Sequence, residues 1–447
     1  MHKNLVLVLA FAIFSVSVVA EPLVLPMRDR AAIIDAWLTT RVQTVLPEIM
    51  KRTEIDMWVI VSREYNEDPV IRTFLPSTWQ SARRTTILMI TDPGDEEPLE
   101  TLAVARYGVG ETFQAAWDKE RDGEQWAHLA TLIEARNPRR IGLNFSETFP
   151  LADGISQTEY RLFYEALPAK FHDRVVSAQD LSIGWLETRT LDEMEVYQQI
   201  VRIAHEILAE GLSDAVIQPG ITTTSDVQWW YRDRIRELKL TTWFHPSVSI
   251  DRPDVPEVDM KQSLATKHDE EVIRQGDLLH VDFGITYLRL NTDTQQHAYV
   301  LKPGETEAPE ELQVALERGN RLQDILTDQF ETGRSGNEIL SRTLAQAKRE
   351  GITASIYTHP IGFHGHAAGP TIGLWDQQGG VPGKGDYPLY PNTAHSIELY
   401  AETEVKSWDK VVRISLEEDA FFDGENTHYI DGRQKMFLLI PRVPPVQ

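Results

Sequence analysis

The feature that most constrains this chain is a set of acidic residues inside short apolar runs of its C-terminal part. Asp282 stands in LLHVDFG, Asp293 in NTDTQQHAYVL, Glu398 in HSIELY and Glu417 in VVRISLEEDAFF, while His366 lies in the glycine-rich GFHGHAAGP. Carboxylates are rarely buried unless they are paired or bind a metal, and an unpaired buried charge is very costly. Two divalent cations sharing these carboxylates would resolve that cost and create a hydrolytic centre.

The alternation of side chains along the first run supports this interpretation. Leu278, His280 and Asp282 are expected on one face of a strand, because successive side chains point to opposite faces. Asp293 returns on what reads as the next antiparallel strand, which would set the two aspartates side by side. For this pair alone, a solvated hairpin is an equally good interpretation.

The last run carries an arginine on the same face as its inward carboxylate. Arg413, Ser415 and Glu417 alternate, so Glu417 rather than Glu418 is expected to point inward. Arg413 is expected to neutralise surplus negative charge or to orient Glu417. A surface salt bridge is the alternative for this arginine.

Three histidines lie within eight residues of one another, at His359, His364 and His366. Such a cluster is typical of a metal ligand with neighbours that move protons or orient substrate. Alone, it would be read as incidental loop chemistry. Its significance depends on the carboxylates around it.

The composition excludes several classes of protein. A chain of 447 residues is long enough for two or three domains. Its net charge of −24, with no long basic run, argues against a nucleic-acid partner. The absence of cysteine excludes disulfides, thiolate metal ligands and a cysteine nucleophile.

The first twenty residues have the pattern of a secretory signal. His2 and Lys3 precede the apolar stretch from Leu5 to Val19, and Ala20 ends a plausible cleavage site. A buried helix or a retained membrane anchor is the alternative. No later run is long enough to span a bilayer, so we expect a periplasmic or secreted protein with no membrane span after signal removal.

The rest of the chain divides into two predicted domains. Residues 21–185 interleave short aliphatic strands with amphipathic helices, which predicts an α/β accessory domain. Thr190 and Glu193 form a capping-box pattern that opens a long helix in the second domain, residues 186–447. That domain reads as strand-rich α+β, with one helical stretch over 309–349.

The order of these motifs resembles the pita-bread metallopeptidases, which include methionine aminopeptidase, prolidase, Xaa-Pro aminopeptidase and creatinase. The shared order is an aspartate, a second aspartate eleven positions later, His-x-x-Gly, a strand with glutamate, and an arginine-bearing strand with glutamate. The resemblance implies an α+β chain whose C-terminal pita-bread fold follows a smaller, creatinase-like α/β domain. It covers essentially the whole chain after the signal.

The resemblance also implies roles for individual residues. Asp282 would chelate one metal, Asp293 and Glu417 would bridge both metals, and His366 and Glu398 would complete the ligands of the second metal. Oxygen-rich ligation with one imidazole favours Mn²⁺, with Co²⁺, Zn²⁺ or Fe²⁺ as alternatives. The resemblance implies catalytic roles for His268, near the scissile bond, and for Glu398, while His364, His359 and Arg413 are further candidate catalytic residues from their own positions in the sequence.

Two positions depart from the family pattern. Family members usually carry another histidine seven residues after the ligand, and in this chain that position is Gly373. The family arginine two residues before the last glutamate is replaced by Ser415. His359, His364 or Asp376 would have to substitute, or activity would be weak, altered or absent.

The function implied is a metal-dependent exopeptidase that cleaves the N-terminal bond of peptides with proline after that bond. A metal-bridged hydroxide would attack, Glu398 would transfer the proton and His268 would stabilise the tetrahedral intermediate. The alternatives are a metal-free, creatinase-like amidinohydrolase and a catalytically silent binding protein. A peptide substrate and a homodimer are the expected partners. Trp375 is expected either in a hydrophobic subsite or in the core.

Overall fold

The structure is a computed structural model that describes residues 24–94, 97–254 and 270–441. The predicted signal at residues 1–20 and the candidate catalytic residue His268 lie outside the described residues. Within the described ranges, no helix combines the length and apolar character needed to cross a bilayer.

The first part of the chain is built on a six-stranded mixed sheet. Its strands are, in spatial order, Gln114–Ala115, Glu100–Ala103, Thr85–Thr91, Met57–Arg63, Ile141–Leu143 and Val175–Ser177. Its helices are Met27–Thr53, Ile71–Phe74, Lys119–Asp122, Gln125–Arg136, Gln157–Ala166 and Gln179–Glu187, with 3-10 turns at Pro150–Ala152 and Ala169–Arg174.

Helices cover both faces of this sheet. Trp58 packs with residues of Met27–Thr53, whereas its neighbour Val59 packs with residues of Gln125–Arg136 on the opposite face. The strand Met57–Arg63 is therefore buried on both sides. This explains why its sequence is continuously apolar rather than alternating.

The predicted capping box is present and has a second role. Thr190 accepts a hydrogen bond from the backbone of Glu193, whose side chain accepts one from the backbone of Thr190, at the start of the helix Leu191–Gly211. The buried carboxylate of Glu193 also pairs with Arg41 at 3.0 Å. This ion pair ties the helix Leu191–Gly211 to the helix Met27–Thr53 of the first sheet.

Within its described residues, the second part of the chain forms four smaller sheets. One has the strands Leu438–Ile440, Thr294–Val300, Leu278–Phe283 and Ser247–Asp251; a second has Thr353–Ile356, Leu399–Val405 and Lys410–Leu416; a third has His359–Pro360, Thr393–Ser396, Asp419–Phe422 and Thr427–Tyr429; a short pair has Thr286–Tyr287 and Leu290–Asn291. The accompanying helices are Leu191–Gly211, Thr224–Glu237, Glu310–Thr327 and Gly336–Arg349, with 3-10 turns at Lys384–Asp386 and Lys406–Trp408.

The helical stretch predicted over 309–349 is two helices rather than one. The first ends at Thr327 and the second begins at Gly336. Gly333 between them has a φ of 86°, which glycine adopts without strain. Ser335 and Glu338 then form a capping box that starts the second helix.

The sheets of the second part meet where the candidate ligands lie. Glu398 lies between the strands Thr393–Ser396 and Leu399–Val405, at the point where the chain passes from one sheet to another. Glu417 lies in the same way between the strands Lys410–Leu416 and Asp419–Phe422, which belong to the same two sheets. Its backbone pairs with that of Gln295 in a third sheet. The junction therefore gathers side chains from three sheets at one place.

Candidate metal centre

The five candidate ligands come together at this junction, and a sixth side chain joins them. Three groups have donor atoms within 4.8 Å of one another, and they share members: Asp282 with Asp293 and Glu417; His359 with Glu398 and Glu417; and Asp293 with His359 and His366. The strand register explains the first group, because Asp282 pairs with Gln295 and thus lies close to Asp293. The sixth side chain is His359.

His359 lies at the centre of the carboxylates. Its Nε2 is 3.5 Å from an oxygen of Asp293, 3.4 Å from one of Glu417 and 3.9 Å from one of Glu398. Its Nδ1 lies 3.0 Å from the carbonyl oxygen of Pro360, which accepts a hydrogen bond from it. Burial opposes charge on this ring, but the adjacent Glu417 prevails and raises the pKa of His359 to about 9.

His366 lies beside His359 rather than among the carboxylates. The two ring centroids are 4.7 Å apart and the rings are nearly perpendicular. Trp243 packs against the other side, with its centroid 5.1 Å from that of His366. The side chain of His366 remains partly exposed, and its partial burial lowers its pKa to about 4.

The buried donor atoms are not satisfied by the protein. Asp282 Oδ1, Asp293 Oδ1 and His359 Nε2 are buried without a hydrogen-bond partner among the described residues. Burial raises the pKa of Asp282, Asp293 and Glu398 well above the usual range, and the negative charge of Glu417 adds to the effect. Oxygen donors with an imidazole, held close together and short of partners, fit divalent cations.

A buried glutamine orients two of the carboxylates. Gln295 Nε2 donates to Glu398 Oε1 at 2.6 Å and to Glu417 Oε2 at 2.8 Å. The carbonyl oxygen of the same amide lies 2.9 Å from Nε2 of His280. Ser396 Oγ also donates to Glu417, at 2.7 Å.

Gln295 was not predicted from the sequence, although a signal was present. The strand Thr294–Val300 is buried along its whole length, yet it begins with polar side chains. Polar residues in a fully buried strand require hydrogen-bond partners. Asp419 was also missed; its carboxylate accepts from the backbone N–H of Asp293 at 3.3 Å.

Two other candidate catalytic residues lie apart from the metal-binding groups. His364 belongs to none of these groups within the described residues, although it follows His359 closely in sequence. Arg413 forms an ion pair with Glu402 on the adjacent strand, at 3.1 Å, and its guanidinium lies 5.2 Å from the centroid of the Tyr400 ring.

A cavity of about 660 Å³ opens onto the carboxylates. Asp282, Glu398, His359 and His366 line one part of it. The remaining lining side chains are largely apolar: Phe149, Pro150, Leu151, Tyr357, Ala367, Ala368, Thr371, Leu374, Trp375 and Lys384. The first three of these come from the first part of the chain. The expectation of a subsite position for Trp375 agrees with this lining.

Fold and cluster together define a metallopeptidase of the pita-bread class. Residues 198–419 match the sequence model of metallopeptidase family M24, and the chain belongs to this family. The expected α+β fold with a C-terminal pita-bread domain is thereby confirmed. No curated protein matches the chain in sequence.

Solved structures with the same fold span nearly the whole chain. An X-Pro aminopeptidase from Thermotoga maritima has a TM-score of 0.61 at 17% identity and covers 88% of this chain and 99% of its own. The Xaa-Pro dipeptidase from Bacillus anthracis has a TM-score of 0.56 at 15% identity and covers 93% of this chain and 100% of its own. The prolidase from Pyrococcus horikoshii has a TM-score of 0.54 at 13% identity and covers 91% of this chain and 99% of its own.

Proposed function

We propose that this protein is a metal-dependent exopeptidase that hydrolyses the N-terminal peptide bond of peptides with proline after that bond. The observation that carries the proposal is the group of Asp282, Asp293, His359, Glu398 and Glu417, in which Asp282 Oδ1, Asp293 Oδ1 and His359 Nε2 lack hydrogen-bond partners among the described residues. Family membership supports peptide hydrolysis. The proline preference is suggested by the names of three structural relatives.

We assign the imidazole ligand to His359 rather than to His366. Its Nε2 lies among three carboxylates, whereas His366 shares a metal-binding group only with Asp293 and His359. His366 then stands seven residues after the ligand, the interval at which the resemblance leads us to expect a second histidine. This assignment removes the main argument for a catalytically silent protein, because that argument depended on Gly373.

Gly373 supports the revised assignment. It has a φ of 75°, and an added Cβ would lie 2.1 Å from the carbonyl oxygen of Ile356. A side chain therefore does not fit at this position. The role of the second histidine falls instead to His366, which lines the cavity.

The proposed centre holds two divalent cations, with Mn²⁺ as the first choice because the donors are mainly carboxylate oxygens. When bound, such cations polarise a carbonyl group and make water nucleophilic at neutral pH. Asp282, Asp293, His359, Glu398 and Glu417 would hold them. Glu417 takes part in two of the ligand groups, which suits a carboxylate shared by both ions.

The remaining chemistry belongs to side chains that move or donate protons. Glu398 Oε1 accepts from Gln295, and its Oε2 faces His359 at 3.9 Å. From this position Glu398 would accept a proton from the attacking water and return it to the leaving nitrogen. His366 would donate from its ring N–H to the developing oxyanion.

We also propose that the protein is exported and forms a homodimer. The signal-like pattern in residues 1–20 supports export to the periplasm or the medium. The homodimer is carried over from the family resemblance. Size-exclusion chromatography with light scattering and N-terminal sequencing of the protein from its native compartment test these two points.

The decisive experiment is turnover by purified protein loaded with Mn²⁺, with metal content quantified in the same samples. Ala-Pro, Ala-Pro-Ala and Ala-Ala-Ala are compared. We expect metal-dependent release of alanine from a proline substrate and loss of that activity in Asp282→Asn. Tight metal binding without cleavage of any peptide would refute the proposal, and metal-independent turnover would favour the creatinase-like alternative.

A further inference from the structure

His280 lies beside the metal centre and is not used by the chemistry proposed above. It stands two positions before Asp282, on the same face of the strand Leu278–Phe283. Among the described residues, His280 belongs to none of the metal-binding groups. Its partly buried ring is nevertheless hydrogen-bonded to the side chain that orients two of the proposed ligands.

One chain of hydrogen bonds joins His280 to these two ligands. Nε2 of His280 lies 2.9 Å from Oε1 of Gln295. Nε2 of the same Gln295 amide donates to Glu398 Oε1 at 2.6 Å and to Glu417 Oε2 at 2.8 Å. On the other side of the ring, Nδ1 of His280 lies 3.4 Å from Oγ of Ser249 on the adjacent strand. The chain thus runs from Ser249 through His280 and Gln295 to both carboxylates.

The chemistry of the groups sets the direction of every bond in this chain. A metal-binding carboxylate carries no proton and can only accept, so the NH2 group of the Gln295 amide must face Glu398 and Glu417. The amide oxygen then faces His280, and only a protonated Nε2 can donate to it. In its neutral form the ring is therefore the Nε2–H tautomer, and its Nδ1 accepts from the hydroxyl of Ser249.

A second histidine packs against the ring of His280. His297 pairs with His280 on the neighbouring strand, and the two ring centroids are 5.0 Å apart. Nε2 of His297 donates to the carbonyl oxygen of Ser415 at 2.7 Å. The His280 ring is thus supported by a side chain that is itself held in place, and it presents Nε2 to Gln295.

The direction of the Gln295 amide affects which oxygen of each carboxylate faces the other ligands. Gln295 binds Oε1 of Glu398 and Oε2 of Glu417. The other oxygen of each carboxylate faces Nε2 of His359, at 3.9 Å for Glu398 and 3.4 Å for Glu417. A reversed amide would place its oxygen against both carboxylates, which are acceptors as well, and this contact would disturb the arrangement.

We propose that His280 is a positioning residue, which holds the Gln295 amide in the one direction that orients Glu398 and Glu417 for cation binding. The inference rests on the metal centre of the proposed function and adds a residue that acts on the ligands through Gln295. Without the donor on His280, the amide can turn about its last side-chain bond, because its two ends have nearly the same shape. Metal affinity then falls although every ligand is still present.

The test is a double-mutant cycle on Mn²⁺ affinity, measured by calorimetric titration of wild type, His280→Leu, Gln295→Leu and the double variant. His280→Leu should weaken Mn²⁺ binding about 10-fold, as expected for a residue that orients metal ligands. In the Gln295→Leu background the same substitution should change Kd by less than about 2-fold, because its route to the ligands is gone. His280→Gln keeps a side-chain N–H donor and should stay within about 3-fold of wild type.

His172→Leu is the matched control. The partly buried ring of His172 also donates from Nε2 to an oxygen, the carbonyl of Leu167 at 2.8 Å, but it lies in the first part of the chain. This variant should bind Mn²⁺ as wild type does. Circular dichroism of each variant shows whether a loss of affinity comes from unfolding.

The outcomes for His280 and for the proposed reaction can be told apart, because the titrations contain no peptide. An equal loss of affinity with and without Gln295, or a His280→Gln variant as weak as His280→Leu, overturns the role of His280 even if peptides are hydrolysed. The expected coupling without cleavage of any peptide contradicts the proposed reaction and leaves the role of His280 in place. Wild-type protein that binds no Mn²⁺ overturns both.

Discussion

At the scale of single residues, a comparison of two adjacent glutamines can distinguish an effect on the metal centre from an effect on stability. Gln295 and Gln296 are both buried and both donate to a carboxylate, but Gln295 contacts Glu398 and Glu417, whereas Gln296 contacts Glu418 at 2.9 Å. We expect Gln295→Leu and Gln296→Leu each to lower the free energy of unfolding by about 1–3 kcal/mol, since each removes one hydrogen-bond donor from a buried carboxylate.

Only Gln295→Leu should alter the metal centre. Residues that orient metal ligands typically change affinity by about 10- to 100-fold when they are replaced. We therefore expect Mn²⁺ binding, measured by calorimetric titration, to weaken by that factor in Gln295→Leu and to remain near wild type in Gln296→Leu. Equal metal affinities in the two variants would mean that Gln295 is merely structural.

A second prediction distinguishes the role of His359 from that of His366. If His359 is a ligand, His359→Ala should lose at least one equivalent of bound metal, measured by elemental analysis after dialysis. His366→Ala should keep its metal but lose about 10²- to 10³-fold in kcat, as expected for removal of an oxyanion donor. The reverse pattern, with metal lost only in His366→Ala, would restore the original assignment of His366.

The candidate site was only partly predictable at this scale. Carboxylates in apolar runs were informative because burial of a charge needs a reason, and this led to Asp282, Asp293, Glu398 and Glu417. Burial of charge could not show which histidine, His359 or His366, is the metal ligand. Both lie in one glycine-rich segment, and only the pairing of His359 with Ser396 sets one ring among the carboxylates.

At the scale of elements, Gly373 tests how the segment after His366 is built. The residue follows Ile372, whose backbone pairs with that of Thr358. Gly373→Ala forces a side chain into a left-handed conformation and against the carbonyl oxygen of Ile356, at 2.1 Å. We expect the substitution to lower the free energy of unfolding by about 2–4 kcal/mol.

Gly379 provides the matched control in the same segment. An added Cβ there meets nothing within 4 Å. Gly379→Ala should therefore stay within about 0.5 kcal/mol of wild type in chemical unfolding monitored by circular dichroism. A mild effect of Gly373→Ala would show that this segment adjusts easily, and it would reopen the position to a functional side chain.

Elements with a strong local pattern were predicted well, and junctions were not. The capping box at Thr190 fixed the start of a helix from sequence alone. The passage at Glu398 between two sheets has no comparable local signal, because it depends on pairing with strands distant in sequence.

At the scale of the whole molecule, the carboxylates of the metal centre should lower the stability of the metal-free protein. Burial raises the pKa of Asp282, Asp293 and Glu398, which means that the metal-free protein holds its carboxylates at a cost. Binding of cations to the folded state alone removes this cost. At a free metal concentration of a hundred times Kd, the expected stabilisation is about 3 kcal/mol per site.

Asp282→Asn should therefore shift stability in opposite directions with and without metal. Without metal, we expect the variant to be at least as stable as wild type in thermal unfolding, because one of several crowded negative charges is removed. With Mn²⁺, wild type should gain several degrees in Tm and the variant little. Asp328→Asn, at an exposed helix end, should follow wild type in both conditions. A metal-free variant clearly less stable than metal-free wild type would indicate that these carboxylates are held by protein contacts rather than kept for cations.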